Sequence, residues 1–188
     1  MPTDQPLRTQ LIALLKGGQA HATFDDAVKA FPTKLRAAVP HGLPYSAWQL
    51  VEHIRITQRD ILDFSLNQSL PDNRRAGQRA TNPRYPKASA LGRPKAYKPL
   101  KWPAAYWPKS PTPPTARAWP ESLRQIRRDR AAFLKLLRTA SPTALNTPFP
   151  WATDPNQTLL REALLLADHT AYHLGELIVL RRLLGTWK

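Results

Sequence analysis

The sequence has no cysteine at all. That excludes disulfides, thiolate metal sites and a cysteine nucleophile, so any chemistry must come from nitrogen and oxygen groups. Acidic residues are also scarce: 13 Asp and Glu stand against 28 Lys and Arg, for a net charge of +15. No apolar run approaches the ~18 residues that a membrane span needs. The apolar stretch in "MPTDQPLRTQLIALLKGG" is too short for a signal peptide and lacks a small-residue cleavage site after it. The expectation is a cytoplasmic protein. There is no internal repeat and no segment with the strict alternation of a strand, which argues against solenoid and β architectures. What remains is a globular balance, 42% hydrophobic and 22% charged over 188 residues, enough for one domain with a proper core. A single helical domain spanning 1–188 is expected.

The positive charge is concentrated. Residues 73–101 hold nine basic side chains and no acidic one: Arg74, Arg75, Arg79, Arg84, Lys87, Arg93, Lys95, Lys98 and Lys101. Taking these nine from the 28 basic residues leaves 19 against 13 acidic, so most of the excess belongs to this segment. Prolines recur through residues 69–118, and no helical or strand period survives there. This stretch reads as a long, basic, Pro-rich connection. Its second half contains "KWPAAYWPK", whose aromatics argue for docking onto the domain.

Helical patterns flank that connection. The first begins near Thr3 or Asp4 and stops at Gly17 and Gly18. "TFDDAVKAF" opens with a Thr cap and two acids that suit the helix dipole. A longer helix is expected over residues 45–67, with Ala47, Leu50, Ile54 and Ile61 on one face. Another starts at Pro120 and runs to about Thr139, and a last one is capped by Asp154 and continues to Gly185. The pattern predicts an all-α fold, a four-helix bundle whose long crossover joins the second and third long helices.

The last helix carries the most informative feature, "LLLADHTAYHLGELIVLRRLLG". His169 and His173 are one turn apart, and Glu176 and Leu180 fall on the same side at about 100° per residue. Ala167, Ala171, Leu174 and Ile178 form a second apolar stripe opposite. A helix apolar on two sides is either central in its domain or packed against another chain, and a homodimer is the expected use. Burying two imidazoles costs free energy unless each finds a partner. At i and i+4 both rings can point at one atom, the geometry of a two-histidine metal chelate. Two ligands are too few, and His53, inside the other well-formed helix, is the candidate third. His21 and His41 look like surface residues. The competing reading is that the histidines are hydrogen-bonded core residues.

With His53 in "PYSAWQLVEHIRITQRDIL" and the HxxxH of the last helix followed by Leu-Gly, the chain resembles the DinB-like (DinB/YfiT) superfamily. The resemblance covers nearly the whole chain. It implies a four-helix bundle, commonly dimeric, that holds a divalent metal through three histidines, here His53, His169 and His173. The family often has Gln where this chain has Glu176, so the departure adds a carboxylate that can serve as a fourth ligand, an orienting group or a general base. Characterised relatives include transferases and isomerases that use low-molecular-weight thiols. The basic stretch is not part of the family pattern.

An open three-histidine site can acidify a bound water, polarise a substrate oxygen or hold a thiolate, and histidine ligation suits zinc, nickel or iron. A metal-dependent thiol transferase or hydrolase is therefore the leading expectation. Asp60 and Asp168 are candidates to orient the ligands from behind, or else solvated helix charges. Tyr106 and Trp107 either line the mouth of the site or simply cover the bundle. Two other readings remain: nucleic-acid binding through the basic stretch with Tyr85, Tyr97 and Trp102 interleaved, and a non-catalytic dimeric binding bundle.

Overall fold

A computed structural model describes residues 4–66, 97–141 and 143–187. Among them are five α-helices and one short 3-10 turn, Thr33–Leu35, and no named strand. The helices are α1 (Gln5–Lys16), α2 (Phe24–Val28), α3 (Ala47–Leu66), α4 (Ala118–Thr139) and α5 (Leu159–Leu183). The long ones, α1, α3, α4 and α5, form the expected all-α bundle. None of the described helices is long and apolar enough to cross a membrane.

Local chemistry fixes the helix starts. Before α2 the Thr23 hydroxyl accepts from the Asp26 amide while the Asp26 carboxylate accepts from the Thr23 amide, a complete capping box. Before α3 the same reciprocity joins Ser46 and Gln49, at 3.2 and 3.0 Å. Gly17 ends α1 at φ 74°, a conformation that a β-carbon would strain. The start of α5 corrects the sequence expectation. Thr158, not Asp154, is the cap, its hydroxyl accepting from the Arg161 amide. Asp154 instead accepts from the Asn156 amide in a turn, and Thr158 is held extended by a bridge to Pro148. The helix cannot begin until the chain has left that bridge.

Cross-helix partners give the topology. Going up α3, Glu52 meets Ser122, Gln58 meets the Ile126 carbonyl and Arg59 meets Asp129. Both numbers rise together, so α3 and α4 run parallel. Tyr45 meets Glu176 and His53 meets His169, so α5 is antiparallel to α3. Parallel neighbours need a connection that returns the full length of the helix, about 30 Å for α3. That accounts for the long segment between α3 and α4, of which residues 67–96 lie outside the described residues.

The core has two halves. One packs α2 and the first turns of α3 and α4 against the end of α5, with Leu50, Ile54, Trp119 and Leu177 buried. The other packs α1, the ends of α3 and α4 and the start of α5, around Leu62, Phe133, Leu137 and Leu166. On α5 the histidine-side stripe is only partly internal: Leu166 and Leu180 are buried, but Leu165 and Leu183 are exposed. On the opposite stripe Ala167 and Leu174 are buried and Ala171 is exposed. Leu164, Tyr172, Val179 and Leu183 leave an apolar strip on the outer face of α5.

The cap assignment is testable. Thr158→Ala should cost about 1 kcal/mol in denaturant unfolding, as lost N-caps do. Asp154→Ala, at an exposed turn, should stay within about 0.5 kcal/mol.

Candidate metal centre

His53 projects from the middle of α3, and His169 and His173 from successive turns of α5. The antiparallel pairing of the two helices brings the three rings together. The His53 Nε2 atom lies 3.0 Å from the Nε2 of His173 and 3.0 Å from that of His169. Each residue offers a ring nitrogen within 4.8 Å of the other two. His53 and His173 are buried and His169 is half-buried.

The outer ring nitrogens determine where the protons are. His53 Nδ1 lies 2.8 Å from the Tyr106 carbonyl oxygen, which can only accept. Nδ1 therefore carries the hydrogen, and Nε2 of the neutral ring presents a lone pair. His173 Nδ1 lies 2.6 Å from Glu176 Oε2, and donation to that carboxylate likewise leaves Nε2 bare. With both rings in the neutral form, two lone pairs face each other across 3.0 Å. That contact is repulsive unless a proton or a cation lies between them. Burial opposes the proton: it pushes His53 below its ordinary pKa, and it pushes His169 down to about 3, with His173 and His53 adding to the effect. Ligands of one tetrahedral zinc at ordinary Zn–N lengths stand about 3.3 Å apart. The donor set fits a divalent ion in spacing and chemistry.

Aromatic groups hold this arrangement. Trp107 stacks on the His53 ring at 3.9 Å and 7°, and Tyr45 stacks on Trp107. The Tyr45 hydroxyl donates to Glu176 Oε1 at 2.5 Å. Burial first, then the Glu176 carboxylate, holds the Tyr45 hydroxyl well above its usual pKa, so it remains a donor. Both Glu176 oxygens are therefore engaged, one by Tyr45 and one by His173.

The other expected residues are placed as follows. Tyr106 contributes its backbone carbonyl to His53 and its hydroxyl to Asp60, 2.6 Å away. Asp60 thus reaches His53 through both ends of Tyr106 rather than directly. Burial raises the Asp60 pKa, against the lowering effect of hydrogen bonds from Tyr106 and Tyr97. Asp168 is exposed on α5. His21 and His41 are exposed, as expected of surface residues. Lys98 and Lys101 are exposed, while Arg74, Arg75, Arg79, Arg84, Lys87, Arg93 and Lys95 lie outside the described residues. Sequence reasoning missed Tyr45, which precedes its helix and carries no period. It also missed the Tyr106 carbonyl, a backbone atom that no side-chain pattern signals.

A family model described as the DinB superfamily matches residues 18–177. The match spans all three histidines together with Tyr45, Tyr106 and Glu176. Comparison with curated proteins and with solved structures gives no match.

The clamp on His53 predicts a specific loss. Tyr106→Phe keeps the carbonyl but frees the loop from Asp60, and should weaken zinc affinity about tenfold, as lost ligand-orienting partners do. Competition against a chromophoric chelator measures it, with helicity unchanged by circular dichroism.

Proposed function

The chain belongs to the DinB superfamily, and from that premise we propose that His53, His169 and His173 hold one divalent ion at an open site serving a metal-dependent transferase, of the kind using low-molecular-weight thiols, or a hydrolase. The observation that supports this reading best is the convergence of the three imidazoles, with the Nε2 atom of His53 3.0 Å from those of His169 and His173. Zinc, nickel or iron suits three neutral imidazoles, and such an ion supplies a full double positive charge with a position free for a water, a substrate oxygen or a thiolate.

The protein's part is orientation and exclusion of water. The Tyr106 carbonyl fixes the tautomer of His53, and Glu176 fixes that of His173. Glu176 is better suited to this orienting role than to direct ligation or proton abstraction, since Tyr45 and His173 already occupy its two oxygens. Trp107 covers His53 and shields one side of the site from solvent. A second copy of the chain is proposed to pack on the outer strip of α5, where Tyr172 is 64% exposed among apolar neighbours.

Two measurements test this reading. Elemental analysis should find about one equivalent of zinc, nickel or iron in the protein and a large loss in His53→Ala. Metal content unchanged in His53→Ala, His169→Ala and His173→Ala would reject the site. With cobalt(II) as the probe, adding a low-molecular-weight thiol should produce thiolate-to-metal absorption for the transferase reading, whereas an unaltered spectrum favours the hydrolase. Tyr172→Glu should shift the mass measured by light scattering from dimer to monomer.

A further inference from the structure

A second feature lies farther along the two helices that carry the histidines. Asp60 is seven residues after His53 on α3, and Leu165 and Glu162 are four and seven residues before His169 on α5. Each helix therefore carries its face onward by one or two turns, about 6 to 10 Å, from the rings. Along this seam is a cavity of about 480 Å³, lined by Asp60, Phe64, Tyr97, Trp151, Arg161 and Glu162, among others. On α3, Thr57 lies between His53 and Asp60 in sequence, and about 40° from His53 around the helix. Its hydroxyl is buried and has no hydrogen-bond partner among the described residues. A volume of this size suits a small organic molecule.

The lining says which kind. The chain is strongly basic, yet among the described residues this cavity receives two of its 13 acidic residues and a single guanidinium. Glu162 is only 3% exposed. Arg161, nearly half exposed, meets only one of its oxygens, at 2.6 Å. Asp60 takes hydrogen bonds from the Tyr106 and Tyr97 hydroxyls and, among the described residues, meets no cation among its hydrogen-bond partners. A carboxylate has about four lone-pair sites, so both groups keep acceptor capacity. Burial raises both carboxyls; on Glu162 the Arg161 ion pair opposes that rise and the Asp60 charge adds to it, so among the described residues a single cation lines the cavity beside two carboxylates. The remaining walls are aromatic: Tyr97 meets Phe64 edge-on at 5.3 Å, and Trp151 anchors its indole N–H on the Phe64 carbonyl at 3.0 Å. Carboxylates set among aromatic faces favour an organic cation over an anion or a neutral molecule.

We propose that this cavity is the substrate-binding part of the metal centre and that it selects a small primary amine on an apolar or aromatic body. The proposal rests on the metal reading for its link to catalysis, but not for the binding itself. The ammonium sits between Asp60 and Glu162, the body lies against Phe64, Tyr97 and Trp151, and the far end is directed past Thr57 toward the histidines.

The test uses three probes of similar shape and different charge: benzylamine, benzyl alcohol and benzoate. Each is titrated into the full-length protein, with metal content measured on the same sample. Binding is followed by the indole N–H resonances. Benzylamine should bind at least tenfold more tightly than the other two and move the Trp151 signal, leaving that of Trp119, buried in the other half of the core, in place. Glu162→Gln, nearly isosteric, should weaken benzylamine on the order of tenfold. Arg161→Gln should tighten it, because a competing cation is removed. A purely structural role for these two residues would not move affinity in opposite directions. Equal binding of all three probes, a preference for benzoate, or no benzylamine binding would overturn the proposal. A sample that holds its metal but shows no amine preference refutes the cavity assignment alone. One that prefers benzylamine but never holds metal supports the cavity assignment and refutes the metal reading.

Discussion

Everything at this site depends on one constraint: three imidazoles, two of them buried and one half-buried, converge through their Nε2 atoms. Such an arrangement is unfavourable on its own terms. It removes polar rings from water and sets lone pairs against one another. It persists because each helix is committed elsewhere. Leu50 and Ile54 flank His53 in the first half of the core, and Leu166 and Leu177 bracket the two histidines of α5. Apolar burial thus fixes the helix rotation and with it where the rings must point. The outer nitrogens of His53 and His173 are then tied to groups that accept, which disfavours their alternative tautomers. Packing energy from the core is what keeps the centre organised for a cation.

Much of this was legible in the sequence, for physical reasons. His169 and His173 are spaced by one helical turn, and a period of 3.6 puts residues at that spacing on one side without any tertiary information. His53 could be nominated because it sits within a long amphipathic pattern. The all-α architecture followed from the same periodicities and from the absence of alternation. The N-cap of α5 was misread because "TDPNQT" offers four capping residues, and Thr158 is selected by its bridge back to Pro148. The path from Asp60 to His53 was also hidden. Their spacing places them on one face, but the link between them runs through a residue of the crossover, 46 positions away from Asp60.

The crossover is therefore more than a connection. Because α3 and α4 are parallel, the chain must travel back along the bundle, and residues 97–117 lie on the way. In doing so they deliver Tyr97, Tyr106 and Trp107 to the α3–α5 seam. The amide nitrogen of the Gln49 side chain donates to the Pro108 carbonyl and the Ser46 hydroxyl to that of Pro111, which anchors the far end of this strap at the start of α3.

The hold on His53 by a main-chain carbonyl has an evolutionary side. A peptide oxygen is present whatever side chain is encoded at position 106, so no point substitution can delete that acceptor outright. Mutation can reach it only indirectly, by releasing the hydroxyl from Asp60, by removing the indole of Trp107, or by changing the path of the backbone. The ligand geometry is in that sense buffered against genetic drift, while the aromatic groups that define the neighbouring cavity are not. A lineage built on this chain can change what the cavity accepts more readily than it can change how its first histidine is aimed.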